Sequence, residues 1–140
     1  MATAEVHAGD CGHSAVIEAR QVSKDTVQIT IRSACEMLTA MNDDLAIVKW
    51  RGKGHEVFRP IPESVIYRSA GCHIRHPGCP VPAAVIKAIE VEVGVALARD
   101  VTIHIFENGT GAELSGGAEE QGGRGEGETR RQGEQRNSEI

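Results

Sequence analysis

Four residues carry the most specific chemistry in this chain: Cys11, Cys35, Cys72 and Cys79. A thiolate is a soft metal ligand and a nucleophile, and both uses depend on what lowers the thiol's pKa. Cys11 lies in "GDCG", a turn whose glycines let backbone come close to a neighbouring group. Cys35 precedes a segment of helical spacing, so it is expected in a first helical turn, where free N–H groups and the helix dipole favour thiolate. Cys79 leads through Pro80-Val81-Pro82 into another helical pattern and gains the same help. Cys72 closes the pattern before that one, with six residues between it and Cys79.

A site of four thiolates suits tetrahedral Zn²⁺ or an iron–sulfur cluster of the [4Fe–4S] type. The spacing fits neither standard motif, since zinc pairs are usually separated by about two to four residues and ferredoxin runs are as tight. Cys79-Pro80 does match the end of ferredoxin-type motifs. The plainer reading makes some of the four small apolar fillers. His73 and His76, in the loop between Cys72 and Cys79, and His13, two residues after Cys11, are candidates to support the ligands from outside the ligand set. As loop residues they serve equally well as solvated side chains.

A second class is a cysteine-dependent thiol redox enzyme, with a thiolate at a helix start and His13 or His76 as its base. The chain has no Cys-x-x-Cys pair, which ranks this reading below the metal one. A third is an adaptor stapled by zinc. Asp43-Asp44 and Glu90-x-Glu92 are too close in sequence to face each other on a helix and read as solvated. "GGRGEGE" is not a phosphate loop, having no strand before it and no helix after it.

The elements that must position these residues follow from periodicity. Residues 4–8 and the stretch from His13 to Val22 read as strands around the glycine turn. Ser23–Asp25 is a polar turn. Val27, Ile29 and Ile31 then alternate with Gln28, Thr30 and Arg32, a strand with one apolar face. Met37, Leu38, Met41, Leu45 and Val48 fall at helical spacing behind Ser33 and Glu36, a capping-box pair. A loop through "WRGKGHEVFRPIP" leads to a short helix ended by Gly71. Pro82 opens the last helix, Val85, Ile86, Ile89 and Val93 form its stripe, and Gly94 stops it. Val101, Ile103 and Ile105 alternate with Thr102, His104 and Phe106, which predicts a fourth strand joining the N-terminal sheet. The expected fold is α+β: a mainly antiparallel four-stranded sheet with two or three helices on one face.

Composition divides the chain into a domain over residues 1–107 and a tail over 108–140. From Gly109 to Ile140 there are nine of the sixteen glycines and seven glutamates, with Leu114 and Ile140 as the large apolar residues. That segment cannot bury enough surface to offset its ordering entropy and reads as disordered. Residues 1–106 hold eleven Lys/Arg against twelve Asp/Glu, and 107–140 hold four against eight. With no basic excess in either part, nucleic acid is an unlikely partner. No apolar run spans a bilayer and no signal peptide is visible, so a cytoplasmic chain with reduced thiols is expected.

"AGDCGHSAVIEAR", "ITIRSACEML" and "HPGCPVPAAVIKAIEVEVGVALARDVTI" together resemble a family of small uncharacterised proteins from anaerobic bacteria and archaea. The resemblance runs from about Glu5 to Ile105 and leaves out the tail. It implies that Cys11, Cys35, Cys72 and Cys79 belong to one shared pattern and that an oxygen-sensitive cluster is in keeping with the setting. The expectation is therefore a small metal- or iron–sulfur-binding protein, its ligands Cys11, Cys35, Cys72 and Cys79. It would act in electron transfer or as an accessory to a larger redox or cofactor-assembly protein.

Overall fold

The computed structural model describes residues 1–51 and 55–108. It divides into a compact unit, Met1–Asp100, and a second unit from Val101 onward. The acidic tail from residue 109 lies outside the described residues.

The first unit is built on an antiparallel sheet in the order β1-β2-β3-β4. Strand β1 (Ala2–His7) pairs with β2 (Ser14–Ser23), from Ala2 opposite Ala19 to His7 opposite Ser14. Strand β3 (Thr26–Ser33) pairs with β2, from Ser33 opposite Ala15 to Thr26 opposite Ser23, with an irregularity between Gln21 and Ser23. Alternation decides which face is buried. Ala15, Ile17, Ala19, Val27, Ile29 and Ile31 point into the core, while Glu18, Arg20, Gln28, Thr30 and Arg32 face outward. On that wet face the Arg32 guanidinium donates to both Glu18 carboxylate oxygens, at 3.0 and 2.7 Å.

Helices cover the apolar face. After β3 come two single-turn helices, α1 (Glu36–Thr39) and α2 (Asn42–Leu45), then β4 (Val48–Lys49), which pairs with Val27 and Thr26. The helical spacing over Met37–Val48 predicts one continuous helix, and the chain instead breaks it twice. Asn42 explains the break: its carboxamide accepts from the Ile31 N–H at 2.7 Å and donates to the Ile31 carbonyl at 2.9 Å. One side chain thus does the work of a neighbouring strand at β3's edge, and the segment must run alongside to deliver Val48 to the sheet. Leu38, Met41, Leu45 and Val48 still reach the core from these separate pieces.

Two 3₁₀ turns, Glu56–Phe58 and Ile61–Glu63, precede α3 (Val65–His73). The Ser64 side chain caps α3 by accepting from the Tyr67 N–H. Glu56 is buried among the same groups: its carboxylate takes a hydrogen bond from the Ser64 hydroxyl and from the N–H groups of Val65 and Ile66, at 3.2 and 3.3 Å. Helix α3 continues through Gly71 rather than ending there.

Helix α4 (Val81–Glu92) has Pro82 in its first turn, as expected. Val81, Pro82, Val85, Ala88 and Ile89 are buried, with Ile86 and Val93 half-buried beside them. Gly94 takes a φ of +79° just past the end, and the N–H groups of Val95 and Ala96 return to the Glu90 carbonyl. Helix α4 packs across β1 and β2.

The second unit corrects one expectation. Residues 101–107 form no strand, and Val101, Ile103 and Ile105 are 67, 70 and 92% exposed. The fourth strand of the sheet is Val48–Lys49 instead.

Candidate thiol site at one end of the sheet

The ends of the sheet differ, and the helices fix which cysteine goes where. The Gln21 N–H donates to a Glu92 carboxylate oxygen at 2.9 Å, so the C-terminal end of α4 lies at the β2–β3 turn. A helix of this length runs about 18 Å, close to the roughly 23 Å between Ser14 and Gln21 along β2. The N-terminus of α4, and Cys79 just before it, therefore reach the opposite end. There β1 turns into β2 and β3 leaves the sheet.

Cys11 stands at that end, in the β1–β2 connection. The turn is closed by the Gly12 N–H donating to the Gly9 carbonyl at 2.9 Å and the Ala8 N–H donating to the His13 carbonyl at 3.1 Å. Gly9 and Gly12 have φ of +83° and +74°, values that side chains with a Cβ adopt at a cost. The sequence pattern "GDCG" thus makes Asp10 and Cys11 the two central residues of a tight turn, and Cys11 is exposed.

Cys35 stands at the same end. The Ser33 hydroxyl donates to the Ser14 carbonyl at 2.7 Å and accepts from the Cys35 N–H at 3.1 Å. This short chain of bonds ties the exit from β3 to the start of β2. Cys35 is itself the residue before α1; its carbonyl accepts from Leu38 and Thr39, and its side chain is buried in the core. The expected helix-start position holds, but the cap is Cys35 and not Ser33. Helix α1 is one turn long, so its dipole is small.

Cys79 is half-buried and packs against the core. Its thiol pKa is raised, first by burial, and further by the nearby Cys11 and Cys35 thiols, whose negative charge would oppose its own. The Val81 N–H, at the start of α4, acts the other way by donating to the sulfur. The Cys79 thiol thus feels those of two other segments at the same end of the sheet.

Cys72 sits in the last turn of α3 and is exposed. Its neighbour His73 turns elsewhere: Nε2 lies 3.1 Å from Asp44, which also accepts from the Ser69 hydroxyl at 2.7 Å. The Ser69 bond, then the His73 bond, hold the Asp44 carboxyl below the usual range. Asp44 therefore joins α2 to α3, a role the plain Asp43-Asp44 pair in the sequence gave no reason to expect. His13 and His76 are exposed. His7 is a further polar residue at the thiol end, its Nδ1 2.9 Å from the Ser14 hydroxyl. Its signal was its place: His7 and Ser14 flank the Cys11 turn symmetrically.

Among the described residues, no three or more His, Cys, Asp or Glu side chains stand in an arrangement that would hold a metal ion. The donor chemistry is soft and suits such an ion. Also among the described residues, no helix is long and apolar enough to cross a membrane.

The fold defines a small α+β domain with a one-sided sheet, with Cys11, Cys35 and Cys79 placed toward one end of it. The chain belongs to the Family of unknown function (DUF6951), which it matches over residues 2–105. No curated protein and no solved structure was found to match it.

Proposed function

We propose that this protein binds a soft metal centre, an iron–sulfur cluster or a zinc ion, through Cys11, Cys35 and Cys79 with Cys72 as the fourth thiolate. The observation that supports this reading is the gathering of Cys11, Cys35 and Cys79 from a hairpin turn, a strand exit and a helix start. A thiol half-buried beside other thiols resists ionising, as Cys79 does here. A bound cation removes that opposition, and each ligating thiol gives its proton to solvent. The same raised pKa works against Cys79 as an attacking nucleophile in the unligated protein. Cys72, on the last turn of α3, is joined to Cys79 by a short loop and is free at the surface to complete the set. With a cluster bound, the chemistry supplied is one-electron transfer, fitting a role beside a larger redox or cofactor-assembly protein.

Anaerobic purification followed by elemental analysis and a visible spectrum tests the reading. The expected result is stoichiometric metal: a broad visible absorption with iron and sulfide for a cluster, or a colourless protein with one zinc. Cys11→Ser and Cys72→Ser, both at exposed positions, should each lower the metal content while leaving the circular dichroism spectrum intact. A folded chain that arrives metal-free, and takes up neither zinc nor ferrous iron with sulfide, overturns it. One rapidly alkylated thiol in such a chain would favour a thiol redox enzyme instead.

A further inference from the structure

Among the described residues, the sheet has an unpaired edge and one segment of strand-like alternation lies in no strand. Strand β1 is the open edge: six residues, Ala2–His7, with β2 on one side only. The opposite edge is guarded, since β4 covers Thr26 and Val27 and the Asn42 carboxamide occupies the Ile31 N–H and carbonyl. On β1 the inner-face residues Ala2, Ala4 and Val6 pack against the core yet stay half-exposed, as residues do where a sheet stops one strand short.

The segment Val101–Phe106 is also six residues long and alternates as a strand should. Among the described residues it belongs to no strand. Val101, Ile103, Ile105 and Phe106 are 67, 70, 92 and 56% exposed, and Leu97 just before them is 74% exposed. A contiguous run of large apolar side chains in water marks an interaction surface. The family match extends to residue 105 and so takes in all of this segment but Phe106.

We infer that Val101–Phe106 adds as a fifth strand to the β1 edge of a second copy of this chain, each copy giving one strand and receiving one. The exchange is reciprocal, so it closes as a two-fold dimer in which both segments and both β1 edges are paired, and the open edge moves out to Val101–Phe106. Pairing in which Val101, Ile103 and Ile105 continue the inner face of Ala2, Ala4 and Val6 puts Thr102, His104 and Phe106 on the wet face with Thr3, Glu5 and His7. The matched lengths and matched alternation select this occupant, and main-chain bonds supply the affinity. Nothing in the inference depends on the cysteines.

Sedimentation equilibrium of the full chain, with hydrogen exchange of the 102–106 amides, is the test. The expected mass is twice the 15.0 kDa of one chain, with those amides protected. Ile103→Pro removes an N–H donor and should halve the mass and abolish the protection while the β2 and β3 amides stay protected. Ile103→Asp, which keeps the backbone donor but charges the inner face, should do the same if the proline variant aggregates. A wild-type monomer at tens of micromolar overturns the inference, whether or not its 102–106 amides are protected. So does a dimer that survives both substitutions.

Discussion

Cys79 is where burial and neighbouring charge meet in one atom. Because burial and the nearby Cys11 and Cys35 thiols raise its pKa, its alkylation by iodoacetamide should need a pH above the ordinary thiol range, around 8.5. Cys11→Ser removes one opposing thiolate, so the midpoint of that profile should move down. A Cys79 that alkylates at or below the ordinary range would mean that the thiols do not oppose one another. Glu56 is the other residue whose environment decides its role. Its carboxylate is enclosed and receives the Ser64 hydroxyl and two α3 N–H groups, with the Arg59 guanidinium 3.9 Å away. Glu56→Ala strands those donors without water, and urea unfolding should show a loss of roughly 2–3 kcal/mol. A smaller loss for Glu56→Gln than for Glu56→Ala would place the value in hydrogen bonding rather than in charge.

At the scale of elements, two side chains hold pieces together that the backbone alone leaves separate. Asn42 pairs with both polar groups of Ile31, so Asn42→Ala should cost about 2 kcal/mol in urea unfolding, near two ordinary hydrogen bonds. Asn42→Asp should be worse than that at neutral pH, because a carboxylate keeps the Ile31 N–H but faces the Ile31 carbonyl with like charge. Asp44 joins α2 to α3 through Ser69 and His73. Its carboxyl is held down in the folded state, so its contribution is present above the unfolded value, roughly 3.9, and is lost as pH falls through the lower folded value. Acid unfolding of Asp44→Asn should therefore be less steep than wild type across that window. Equal slopes would show that the Asp44 bonds to Ser69 and His73 contribute nothing to the fold.

For the whole molecule, the thiol end and the core share a fate, since Cys35 belongs to the same buried cluster as Ile17, Ile31 and Val85. A metal that binds the folded thiols and not the unfolded ones should stabilise the entire domain. At a hundredfold excess over its dissociation constant the gain is about 2.7 kcal/mol. A thermal midpoint that rises with zinc or with cluster reconstitution, and does not rise in Cys11→Ser, is the expected outcome. Ile17→Ala, on the middle strand under α4, should cost roughly 2–5 kcal/mol whether or not metal is present.

Local pattern alone was enough for the Val27–Ile31 strand, the glycine turn around Cys11, and α4 from Pro82 to Gly94. In each, the side-chain period and the punctuating residues point the same way. The antiparallel one-faced sheet followed from them. The thiols were legible as residue types, but the fit of three of them to one end of the sheet was not. That depends on the direction in which α4 crosses β1 and β2, and a Gln21–Glu92 bond spanning seventy-one positions fixes it. Tertiary structure also overrode two local signals. Helical spacing over Met37–Val48 yields to the pull of β3's edge, where Asn42 and Val48 satisfy backbone groups that a straight helix would leave bare. The alternation over Val101–Phe106 describes a strand, but a strand exists only where an edge accepts it, and no count of residues along one chain supplies the partner.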